Sequence, residues 1–184
     1  MSEPTPCLED GDRKELLRIA RVTLKEFLKH GRMPPGAPHR PSLLVHAPAF
    51  VTLRSAGRLR GCIGHTDPVT PLYRTIADLA VSAARRDPRF SPLTFEELAD
   101  VTISISVLSL RAVIAADAVV VGTHGLLITR GAQRGLLLPQ VAVEQGWDRE
   151  RFLEQTCDKA DLPLDAWRDA GTLIEAFTAD VFGE

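Results

Sequence analysis

A cysteine set between two glycines inside an apolar strand restricts this chain more than any other feature: Leu59-Arg60-Gly61-Cys62-Ile63-Gly64. Glycine weakens a strand interior, and where it stands it marks a bulge or a close approach of another group to the backbone. The segment Ala49-Phe50-Val51-Thr52-Leu53-Arg54 precedes it across Ser55-Ala56-Gly57, which makes a hairpin. A two-residue loop at Ala56-Gly57 pairs Leu53 with Arg60 and mixes apolar with charged residues on each face. A three-residue loop, Ser55-Ala56-Gly57, pairs Leu53 with Leu59, Val51 with Gly61 and Ala49 with Ile63. That register separates the faces and gives Gly57 the left-handed position such loops need, so it is the expected one. It puts Cys62 opposite the Leu59/Ile63 core, beside Arg60 and across from Phe50.

Periodicity fills in the rest. Residues 1–11 read as a tail, with 1–8 frayed, and Leu17, Ala20, Leu24, Phe27 and Leu28 predict an amphipathic helix over 12–30, capped by Gly31. Residues 31–42 form a proline-rich loop in which His39 is solvated. Thr70 is the expected N-cap of a helix entered at Pro71, with Leu72, Ile76, Leu79, Ala80 and Ala83 buried and its end near Asp87-Pro88. Thr94 to Glu97 reads as a capping box. Residues 101–107 alternate as a half-buried strand, and 125–130 with 135–138 form a hairpin turned by 131–134. Short helices start at Pro139, Asp148 and Pro163, and 173–182 is β-rich. Hairpins dominate, so the expected class is α+β: a two-lobed single domain with a mainly antiparallel sheet and flanking helices.

Composition removes several function classes. The 184 residues are 45% hydrophobic and 25% charged with a formal charge of -2, as expected for a soluble globular domain without a pull toward nucleic acid or membrane. The glycines around 122–135 match no phosphate-loop or dinucleotide fingerprint, so no cofactor is expected. Cys7, Cys62 and Cys157 are widely spaced, and acidic residues precede Arg13, which points to a reduced, cytoplasmic protein without a secretory signal.

Several stretches together resemble one family: Leu59–Gly64, Asp87-Pro88-Arg89-Phe90, Ile103–Leu108, Gly122-Thr123-His124-Gly125-Leu126, Leu138-Pro139-Gln140-Val141-Ala142, Gly146-Trp147-Asp148 and Cys157-Asp158-Lys159-Ala160. In this order they resemble the AMMECR family, from about Asp12 to Phe182, whose short bacterial form is similar to protein A of the AmmeMemoRadiSam system. The resemblance implies a two-lobed α+β domain over 12–184 with the hexapeptide near the lobe junction. It also implies association with a Memo-like protein and a radical S-adenosylmethionine enzyme, as an accessory enzyme or substrate-binding component whose molecular activity is unestablished. His65 and Asp161 depart from the family pattern, which has Thr and Gly there in many members.

Cys62 is the candidate catalytic residue. It is open to three readings: a small packed residue, a nucleophile or thiol acceptor, and a metal ligand with His46, His65 or His124. The metal reading is disfavoured, because Cys62 and His65 fall on opposite faces of a continuous strand; no metal site is expected. Arg60, Gly61, Gly64, His65, His124, Gln140 and Glu144 are the candidate ligand-binding residues, Gln140 and Glu144 lying one helical turn apart. A non-catalytic interaction module is the alternative function, and a nucleic-acid-linked regulator a weaker one, supported only by Arg85, Arg86 and Arg89.

Overall fold

The apolar repeat near the start of the chain closes into helix α1, Asp10–His30, whose buried line runs through Leu16, Ala20 and Leu24. The computed structural model describes residues 8–34, 38–67 and 69–184. The helix begins two residues before Asp12, because Asp12 is its third residue and closes a capping box with Glu9. Residues 1–7 of the expected tail lie outside the described residues. Leu8 is a correction to it: at 4% exposure it belongs to the core. Of the proline-rich loop, residues 35–37 lie outside the described residues, and the following Arg40 and Ser42 bond the buried Asp12 carboxylate at 2.6 and 2.5 Å. His39 is exposed, and its Nδ1 lies 3.1 Å from Glu15.

The described chain divides into two compact units, residues 8–108 with 180–184 and residues 109–179. In the first, strands β1 (Ala49–Ser55), β2 (Arg58–His65), β3 (Val101–Leu108) and β8 (Ala179–Gly183) form one sheet in the order β2-β1-β3-β8. Its inward residues Val51, Leu53, Ile103 and Ile105 share a core with α1 and with helix α2, Leu72–Arg85. The expected α2 stripe, Leu72, Ile76, Leu79, Ala80 and Ala83, is buried. Its N-cap is Pro71 instead of Thr70, because the Thr70 hydroxyl turns to that of Thr75 at 2.9 Å.

The second unit holds the sheet β4-β7-β5-β6, built from β4 (Ala112–Val113), β5 (Gly125–Arg130), β6 (Gln133–Leu137) and β7 (Leu173–Phe177). Helices α3 (Pro139–Glu144) and α4 (Arg149–Lys159) belong to it, the latter capped by Asp148 accepting from the Arg151 N–H. Leu126, Ile128, Phe152, Leu153 and Cys157 form its core. Arg130 pairs with Gln133, so the turn is two residues, Gly131-Ala132, and not the four expected. The chain is thus α+β, as its hairpin-rich sequence predicts. Among the described residues no helix is long and apolar enough to cross a membrane.

The β1–β2 hairpin corrects the expected register. Ser55 pairs with Arg58 across a two-residue loop, Ala56-Gly57, and both loop residues have positive φ, 49° and 76°. These are the angles of a type I′ turn, whose twist matches the strands it joins. Arg54 then pairs with Leu59, but Leu53 pairs with Gly61, leaving Arg60 as an extra, bulged residue. Beyond the bulge Val51 faces Ile63 and Thr52 faces Cys62. Without it, the same turn would set Val51 opposite Cys62 and drive the cysteine into the core. The bulge reverses the parity of the strand. Cys62 therefore lies on the expected face, with Phe50 and Thr52, for a different reason.

Candidate functional site

Strand β2 is an edge strand, and an edge exposes unpaired N–H and C=O groups. At Cys62 both are engaged. Asp87 Oδ2 accepts the Cys62 N–H at 2.8 Å, and Arg89 Nη2 donates to the Cys62 carbonyl at 3.4 Å. Asp87 and Arg89 grip each other as well: Nε donates to Oδ1 at 2.9 Å and Nη2 to Oδ2 at 2.7 Å. The pair takes the place of a neighbouring strand, one acceptor and one donor laid along a single residue. Asp87 is 4% exposed. The Arg89 guanidinium, with the backbone N–H groups of Cys62 and Arg89, holds its carboxyl well below the usual carboxylate range against the opposing effect of burial. Pro88 between them ends helical geometry, so the chain leaves α2 with Asp87 and Arg89 two residues apart.

The glycines do separate work. An added Cβ at Gly61 would stand 2.1 Å from the Ala83 carbonyl oxygen, so Gly61 is where α2 lies against the strand. One at Gly64 would meet the Phe50 ring at 2.1 Å; the ring of its cross-strand partner covers that position. Both glycines thus answer to neighbours within the unit. Arg60, expected beside Cys62, is committed elsewhere: Nε and Nη2 hold the Glu97 carboxylate at 3.0–3.1 Å, and Nη1 donates to Ser91 O at 2.9 Å. Its side chain pins the bulge. Thr94 and Glu97 close the expected capping box, so Glu97 is fixed before Arg60 reaches it.

The Cys62 side chain is half-buried, and the Thr52 hydroxyl donates to its sulfur at 3.3 Å. Ser104 follows Thr52 across the next strand, so a thiol and two hydroxyls form a row over three strands. Among the described residues no imidazole or ammonium group hydrogen-bonds the sulfur. His65 is exposed and on the Ile63 side, paired with Ala49, so it does not join Cys62. No group of three or more His, Cys, Asp or Glu side chains among the described residues is placed to share a metal ion.

The other candidates lie in the second unit. His124 Nδ1 accepts the Val120 N–H at 3.1 Å while its own N–H reaches Val120 O at 2.9 Å, which makes it a turn-closing residue. Gln140 and Glu144 share α3; Gln140 Oε1 is buried without a partner among the described residues, and Glu144 is exposed. Cys157 is buried at 0% exposure, and that burial pushes its thiol up. Sequence reasoning missed Thr52, Asp87 and Arg89 as site residues. The signal for two of them was present: an Asp and an Arg around a proline just past a helix end.

The chain is 43% identical over 187 residues to a protein of Methanothermobacter thermautotrophicus, covering 96% of each. It is 41% identical to protein PF1979 of Pyrococcus furiosus, over 92% of this chain and 88% of that one. The crystal structure of the uncharacterized protein PH0010 from Pyrococcus horikoshii superposes with a TM-score of 0.91 at 39% identity, over 96% of this chain and 93% of the other. Residues 17–182 match the AMMECR1 family, and the chain belongs to it.

Proposed function

We propose that this chain is a substrate-binding or accessory-enzyme component of a modification pathway, and that the Cys62 thiol is the group it presents. One observation carries the reading: the buried Asp87 carboxylate and the exposed Arg89 paired with it hold both edge-facing backbone groups of Cys62, while the side chain lies on the face away from the core. A cysteine kept for packing alone lies inward, as Cys157 does. The sulfur has a hydroxyl donor in Thr52 but no base within hydrogen-bonding reach among the described residues, which suits a thiol that holds or receives a group delivered by another protein. The family resemblance supplies the proposed partners, a Memo-like protein and a radical S-adenosylmethionine enzyme. A reducing, cytoplasmic setting belongs to the proposal, since only a free thiol serves it.

The test is replacement of Cys62 in a host whose own copy has been deleted. Cys62→Ser is expected to lose pathway function with a melting temperature within about 2 °C of wild type, a shift equivalent to at most about 1 kcal/mol. Retained function overturns the thiol role, and parallel loss of stability and function assigns Cys62 to packing. Co-purification with the proposed partners that persists in the functionless variant separates docking from the chemistry of the thiol.

A further inference from the structure

A cavity lies between α1 and α2, in the unit that carries Cys62. It encloses about 240 Å³, with Ile19 and Val22 from one helix, Tyr73 and Ala77 from the other, and Met33 among its walls. Residues one and four apart on each helix supply these walls, so the two helices present matching faces to the space. Its size is below the about 300–1,000 Å³ of drug-sized ligand sites, which selects an occupant no larger than a single amino acid or fragment.

The polar groups of the cavity are unequal. Arg18 is already neutralised, with Nε and Nη2 both 2.8 Å from the Glu15 carboxylate. Arg74 and Asp78, four residues apart on α2, line the exposed rim of the cavity, and neither side chain makes an ion pair or hydrogen bond with a described residue. Thr23 lines it too. It is 2% exposed, and its hydroxyl has no partner among the described residues, whereas Thr156, also in mid-helix, bonds the carbonyl four residues back at 2.7 Å. A hydroxyl at the cavity wall offers a ligand atom both a donor and an acceptor.

We propose that this cavity binds a free apolar α-amino acid. Its carboxylate meets Arg74, its ammonium meets Asp78, its side chain lies among Ile19, Val22, Met33 and Tyr73, and Thr23 supplies a hydrogen bond. A cation and an anion one helical turn apart, both unspent, match a zwitterion and no singly charged ligand equally well. The site is separate from Cys62, and the proposal does not depend on the thiol.

The test is titration of the full chain with L-leucine and with L-phenylalanine, read by backbone amide shifts and calorimetry. The expected result is saturable binding with a Kd of about 1 mM or tighter, with shift changes concentrated in residues 18–23 and 73–78. Arg74→Gln and Asp78→Asn each weaken binding at least about tenfold, as does N-acetylation or methyl esterification of the ligand. Arg85→Gln, an exposed arginine of the same helix outside the cavity, leaves it unchanged. Thr23→Val, which keeps the volume, checks the hydroxyl and weakens binding less. Absence of saturable binding by either amino acid, or equal binding of the N-acetylated form, overturns the proposal.

Discussion

Asp87 carries more of this account than any other residue. A carboxylate is taken out of water and made tolerable by four donors: the Cys62 N–H, the Arg89 N–H and two guanidinium N–H groups. Its folded-state pKa is depressed, so it stabilises the fold above the unfolded value of about 3.9 and loses that contribution as pH falls. Glu15, gripped by Arg18 and His39, behaves in the same way, its carboxyl lowered from 4.5 to about 2. Stability is therefore expected to decline steeply as pH falls from about 5 toward 2. Asp87→Asn lowers stability at neutral pH by about 1–3 kcal/mol and makes the acid decline shallower, as urea unfolding at pH 7 and pH 3 would measure. An unchanged difference between the two pH values would show that the clamp is not formed. Residues of this kind were hard to find in advance. Asp87 meets Cys62 across 25 positions, a tertiary contact on which neither helical nor strand periodicity bears.

At the scale of elements, the bulge decides which way the cysteine points. The helices and strands were legible because burial repeats along them: the α2 stripe appears as read, and the alternation from Val101 holds to Ile105, beyond which Ser106 is buried as well. The bulge was not, because one extra residue restores the parity that a different loop length also gives. Both registers put Cys62 with Thr52's face; only the paired backbone distinguishes them. The first loop residue, Ala56, sits at positive φ where Asn or Gly is favoured, which is why the sequence advertised the longer loop. Arg60 holds the bulge through Glu97 and Ser91. Its replacement by Ala is expected to cost about 1–3 kcal/mol, through loss of charged hydrogen bonds on a largely buried side chain. Amide exchange should rise selectively over residues 58–65. Uniform exchange, with no local change at β2, would contradict a pinning role.

For the whole molecule, the two units divide the cysteines by environment. The first unit sets the half-buried Cys62 on the core-averted face of an edge strand, where its own outer N–H and C=O are already met. The second buries Cys157, on the inner face of α4, with the core residues of its sheet, where desolvation disfavours the thiolate. The candidate residues divide likewise: His124, Gln140 and Glu144 belong to the second unit, while the hexapeptide and its Asp87–Arg89 clamp belong to the first. Membership in the AMMECR1 family covers both units, as residues 17–182 match it. The most direct measurement is peptide-resolved alkylation of the native protein with iodoacetamide, timed against the unfolded chain. Cys62 is expected to react in the folded protein at a rate at least about tenfold above that of Cys157, which stays protected until the protein unfolds. Protection of Cys62 equal to that of Cys157 would contradict a presented thiol and return the cysteine to packing.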